Sequence, residues 1–181
     1  MTEVYEPIGA EGFEFCHPER QDDFETFNVQ VDGTRRRATW QSIPVHLVHE
    51  DRGKKLAASD SPWLGSHALI LRRSPIEKLG ALLQEYGEIL PLICEEAELF
   101  TFNATRILDA LDEQASSVIR FSSGRIMHVS RYVFRPEVIG DTDIFKIPNL
   151  RVSPTYVSER VVQAWASGGF RGLVFNKVWS G

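Results

Sequence analysis

The chain has 181 residues, 43% hydrophobic, 25% charged and 10% aromatic, which is an ordinary globular composition and excludes wholesale disorder, a collagen-like repeat or a membrane-embedded chain. A chain of this length buries roughly 70% of its unfolded surface and folds without staples, and Cys16 and Cys94 lack the partner spacing of a disulfide, zinc or redox motif. A formal charge of −5 opposes general affinity for nucleic acid or anionic lipid and suits a basic partner, and the absence of a signal peptide or a ~20-residue apolar run predicts a cytoplasmic protein that makes no use of a membrane.

Residues 1–22 are polar and interrupted by Pro7 and Pro18, so they read as an irregular lead-in to one domain over 23–181. Phe27, Val29 and Val31 alternate with polar residues and predict a strand, with Asp32-Gly33 as a hairpin turn and Thr39-Trp40 as the return. Ile43, Val45 and Leu47 predict a strand that Pro44 keeps at an edge or a start. The run from Glu50 to Lys55 reads as a solvated loop, and Ala68–Leu71 as a short strand. A helix is predicted over 75–86, with Ser74 and Glu77 as a capping box, Pro75 in first position, Ile76, Leu79, Leu83 and Tyr86 on one face and Gly87 as the C-terminal cap.

Two strands, Glu88–Cys94 and Leu99–Phe102, flank the acidic turn Glu95-Glu96-Ala97-Glu98. Asn103 then reads as the cap of a short helix bearing Ile107, Leu108 and Leu111. A hairpin follows, Ser117–Phe121 and Arg125–Phe134 around Ser122-Ser123-Gly124, and then a brief strand over Ile144–Ile147. The last helix starts at Ser158 and ends at Gly168-Gly169, and Leu173, Phe175 and Trp179 form a terminal strand. Strands outnumber helices without alternating with them, which predicts an α+β fold, mainly antiparallel sheet with two or three short helices.

Local signals for catalysis are weak. His46 and His49 lie three apart in a strand-like segment that sends them to opposite faces, which is not the spacing of a zinc helix. Cys16-His17 sits in polar surroundings and reads as ordinary surface residues. No phosphate loop, dinucleotide fingerprint or nucleophile elbow is present. Arg35-Arg36-Arg37 reads as a solvated basic face, and Asp109, Asp112 and Glu113 as a charged helix surface. No cofactor and no metal are expected.

The wording of several segments goes further. Asp60-Ser61-Pro62-Trp63, Ala68–Leu71, Glu88–Leu92, the run from Phe102 to Asp112, Tyr132-Val133-Phe134, Ile144–Pro148, Tyr156-Val157, Gly172–Phe175 and Val178-Trp179 occur in an order that resembles a bacterial polymorphic-toxin immunity protein family, family eleven. The likeness covers roughly residues 40–179, and its most specific part is Asn103, Arg106, Asp109 and Asp112 within the pattern Asn-x-x-Arg-x-x-Asp-Ala-Leu-Asp. It implies a non-enzymatic cytoplasmic antitoxin that binds and neutralises a cognate toxin delivered by a contact-dependent or type VI secretion route. The four motif residues carry no implied toxin contact, since capping and turn pairing explain the polar ones. An acidic capture surface fits a basic toxin, and Glu95, Glu96 and Glu98 are its candidate residues. The alternatives are a small hydrolase using Asp141 and Asp143, and a structural or adaptor domain.

Overall fold

The computed structural model, described for residues 1–150 and 152–181, runs β1 (Glu3–Gly9), β2 (Phe15–Pro18), α1 (Asp23–Gln30), β3 (Val45–Val48), β4 (Glu50–Asp51), β5 (Lys54–Lys55), β6 (Leu69–Arg72), α2 (Arg73–Tyr86), β7 (Gly87–Pro91), β8 (Leu99–Ala104), β9 (Ser117–Arg120), β10 (Ile126–Arg131), α3 (Pro136–Ile139), β11 (Ile144–Phe145), β12 (Tyr156–Val157), α4 (Glu159–Ser167) and β13 (Leu173–Ser180). The pairings within the named sheets are antiparallel and the strands fall into several small sheets, so the α+β expectation holds, with a fourth, one-turn helix added at α3. Among the described residues no helix is long and apolar enough to cross a membrane.

The supposed lead-in is structural. β1 pairs with β12 on one side and β13 on the other, inside the order β11-β12-β1-β13, and Val4 is buried in the core. Its strand character is hidden in the sequence because its polar side chains find partners: Glu3 accepts bonds of 2.5 Å from both Tyr5 and Lys177. β2 pairs with β3 in antiparallel register, His17 opposite His46.

The predicted strand over Phe27–Val31 is instead α1. Asp23 and Glu25 lie in its first turn, where the positive end of the helix dipole favours them. Phe27 alone within the helix is buried, Val29 is exposed, and Gly33 at φ 97° turns the chain away. Thr39-Trp40 forms no return strand. Residues 50–55 fold into the small hairpin β4–β5, because Arg52 and Gly53 both adopt left-handed conformations that suit a tight turn.

α2 buries the predicted face, with Leu79, Leu83 and Tyr86 inside. It starts at Arg73, and no side-chain hydrogen bond caps it, so the capping box at Ser74 and Glu77 is not formed. Gly87 holds the C-cap position as expected, but not in the left-handed conformation of a capping glycine. It is extended and opens β7, and any Cβ there would lie 2.4 Å from the Asn103 carbonyl oxygen, so glycine permits the close pairing of β7 with β8. The helix expected after Asn103 is absent. Ser158 holds the cap position of α4, but its hydroxyl bonds Asp143 rather than the helix.

Three apolar clusters fill the interior. One joins α2 and α4 over Leu69, Phe102 and Trp165, a second surrounds Tyr156, Phe134 and Ile126, and a third packs Cys16, Phe27 and Leu47 against Ile70. Each draws residues from both halves of the chain.

Candidate functional site

The acidic turn between β7 and β8 is held from both sides. Glu98 receives two hydrogen bonds from Arg73, 2.7 and 2.8 Å, and this guanidinium keeps its carboxyl below the usual range. Glu96 lies 2.6 Å from Nε2 of His49, which holds the carboxyl low and raises the imidazole. The other nitrogen of His49 is 3.3 Å from Glu14, a buried carboxylate that also accepts bonds from Arg72 at 2.5 Å and the Ser59 amide at 3.0 Å. The turn is thus anchored to the end of β3 through His49 and to α2 through Arg73. Glu95 is exposed without an ion pair among the described residues, beside half-exposed Ile93. Of the three carboxylates, it is the one without a counter-charge among the described residues.

The motif residues do different work from that of a helix. Asn103 is fully buried, where its side chain accepts a 2.9 Å bond from the Gly33 amide and donates one of 2.7 Å to the Thr34 carbonyl. From Thr105 onward the backbone bonds run to distant segments, Leu108 to the Lys146 carbonyl and Asp112 to the Val133 carbonyl, each at 2.8 Å, so no i to i−4 ladder forms. Asp112 accepts the Gln114 and Ala115 amides in a local turn, and Asp109 pairs with Arg135 at 3.1 Å. Arg106 is exposed, and its carbonyl accepts the Lys146 amide. These roles are structural for three of the four.

Lys146 was invisible as a functional candidate in the sequence. It is 1% exposed, and its ammonium donates to the carbonyls of Val31 at 2.7 Å, His67 at 2.7 Å and Ser153 at 3.4 Å. Three acceptors match the three protons of an ammonium, whereas a neutral amine would leave one unserved. Burial nevertheless pulls its pKa down to about 7. A single cation in the apolar run Ile144–Pro148 is the only sequence trace of this knot.

Residues 94–180 match the model of an immunity protein family, Imm11. No curated protein matches the chain. The family match takes in the acidic turn, all four motif residues, Lys146 and every element from β8 onward. It bears out the resemblance over that stretch, while β1, α1, β3 and α2 lie before it. The matched segment carries as many cations as carboxylates, so the whole surplus of negative charge lies in residues 1–93.

Asp141 and Asp143 line a cavity of about 430 Å³ together with Glu3, Thr142 and Arg160. Asp143 is committed there, to Arg160 at 2.5 Å and to the Ser158 hydroxyl at 2.6 Å, and it ties the start of α4 to the start of β11. Asp141 is exposed. Cys16, expected at the surface, is a core residue whose thiol burial pushes up to about 12, which suppresses the thiolate. Its neighbour His17 points elsewhere, stacking near Phe15 and Phe24. His46 and His49 serve separate partners, Glu19 at 3.7 Å for one and the Glu14 and Glu96 pair for the other.

Proposed function

We propose that this chain is an immunity protein that neutralises a cognate secreted toxin by stoichiometric binding in the bacterial cytoplasm, without catalysis. The match of residues 94–180 to Imm11 carries this reading. The commitment of Asp143 to structural partners supports binding over the hydrolase alternative. On this reading the turn at Glu95, Glu96 and Glu98 faces a basic toxin, with Glu95 presenting the open charge and the flanking pairs holding the turn in place before contact, which lowers the ordering cost of binding. The test is a titration of purified protein against the product of the neighbouring toxin gene. Protection that saturates at equimolar ratio is the expected result, and protection at one molecule per many toxins overturns it in favour of an enzyme.

A further inference from the structure

We propose that the β9–β10 hairpin is a second interaction surface, of opposite sign to the acidic turn, and that it takes an acidic polypeptide segment carrying an apolar anchor. Residues 114–135 contain Arg120, Arg125, Arg131, Arg135 and His128 and no Asp or Glu, in a chain whose net charge is −5. Two of those arginines are neutralised within the protein, Arg120 by Glu113 at 2.6 Å and Arg135 by Asp109 at 3.1 Å. The other two keep their charge. Arg131 is exposed and donates only to the Ala115 carbonyl, and Arg125 is exposed without a partner among the described residues.

The hairpin's apolar side chains divide in the same way. Val118, Ile126 and Val129 pack on the second core cluster. Ile119, 54% exposed, and Met127, 49% exposed, do not, and His128 stands directly across from Ile119. Exposed Met and Ile beside uncompensated Arg is the composition of an interface centre rather than of a solvated strand face. Next to the turn, Arg125 and half-exposed Ile107 line a recess of about 190 Å³ whose own carboxylate, Asp32, is paired with Arg36 at 3.4 Å, so that it suits an apolar anchor with a further carboxylate set against Arg125.

The backbone adds a third feature. β9 and β10 form a sheet of their own, and the outer edge of β9 has no strand partner among the described residues. An extended segment laid along that edge would gain main-chain hydrogen bonds, with Glu or Asp on alternate positions meeting the arginines. Glu113 holds the hairpin in place by bonding Asn149 at 3.0 Å as well as Arg120, so little ordering is lost on contact. No Phe, Tyr or Trp of the hairpin is fully exposed to stack a base, which favours polypeptide over single-stranded nucleic acid. This surface stands whether or not the chain neutralises a toxin.

The experiment uses the intact protein and three labelled probes: a peptide of alternating Glu and Val, its counterpart of alternating Lys and Val, and a short oligo-dT. The Glu peptide is expected to bind about tenfold or more tighter than either of the others, more weakly as salt rises, with amide shifts confined to 117–131 and the 107 and 149 regions. Arg125→Glu with Met127→Ser should weaken it about tenfold at unchanged melting temperature, and Arg125→Lys should retain most of it. Arg131→Glu gives an independent variant should the first fail to fold. Equal binding of both peptides, tighter binding of oligo-dT, shifts elsewhere on the protein, or variants that bind like the parent would each overturn the proposal.

Discussion

Asn103 shows how a residue type can be read correctly as important and wrongly as to role. Its amide is the bridge between β8 and the loop after α1, serving one donor and one acceptor that burial would otherwise leave unpaired. Asn103→Ala should therefore cost about 2–3 kcal/mol of stability in thermal or urea melts. A change below about 0.5 kcal/mol would mean that the Gly33 and Thr34 groups find water instead. The buried cation is a second case. Lys146 and His67 both carry depressed pKa values, about 7 and about 4, because burial penalises their charged forms. Nε2 of His67 is shut away from solvent without a partner among the described residues. In each case the unfolded chain binds a proton that the folded chain releases, so stability rises with pH, between about 4 and 6.5 for His67 and between about 7 and 10.5 for Lys146. Comparing parent and Lys146→Met from pH 7 to 10 isolates the second window. The variant should be less stable at every pH, since three carbonyls lose their donor, yet its stability should no longer climb through that range as the parent's does. Parallel curves would place the Lys146 pKa near its ordinary value.

Elements with their own periodicity were legible, and those defined by distant partners were not. α2, α4, the β9–β10 hairpin and β13 follow from apolar spacing that matches one period over their whole length. The same logic fails at Phe27–Val31, where Phe27 and Val31, four apart, share the buried face of a helical turn while Val29 falls on the opposite, exposed side, and at 105–111, where spacing of three and four is produced by an irregular chain bonding outward to Lys146 and Val133. β1 was missed because a strand between two others need not alternate when its polar groups are paired. For the candidate site, composition located the acidic turn but not the Arg73 and His49 counter-charges that neutralise most of it. Two expectations belong at this scale. Leu83→Asp places an unpaired charge on the buried face of α2 and should cost several kcal/mol, on the order of 3–5, while Gln84→Asp on the exposed face stays within about 0.5. Equal melting shifts would show that the helix faces are reversed. Replacing Glu95, Glu96 and Glu98 by Lys removes solvent-exposed pairs that add little to stability, so the protein should stay folded while association with a basic toxin slows and loses its salt dependence. A parent-like rate in that triple variant removes the turn from the interface.

At the scale of the molecule, the family match and the cooperative structure do not coincide. Residues 94–180 contain β8 to β13, yet the strand between β12 and β13 is β1, and the cover over β8 is α2 with β6 and β7. Cutting at residue 94 would leave β12 and β13 without the strand that joins them, expose the apolar faces of Phe102, Trp165 and Val161, and remove the Val31 and His67 carbonyls that hold the Lys146 ammonium. Unpaired edges and open apolar faces of that kind favour aggregation over a smaller native state. The isolated 94–180 fragment is therefore expected to lack a cooperative melt and to show broad, poorly dispersed amide resonances, even though it holds the whole Imm11 match. A shorter cut makes the decisive comparison: a chain starting at residue 10 keeps α2, β6, β7 and the Lys146 acceptors and loses β1 alone. It should melt well below the parent, and a synthetic peptide of residues 1–9 added in excess should raise its melting temperature, since a ligand that binds only the folded form stabilises it by mass action. If the chain starting at residue 10 melts like the parent, β1 contributes no more than an edge, and the central place given to it between β12 and β13 is wrong.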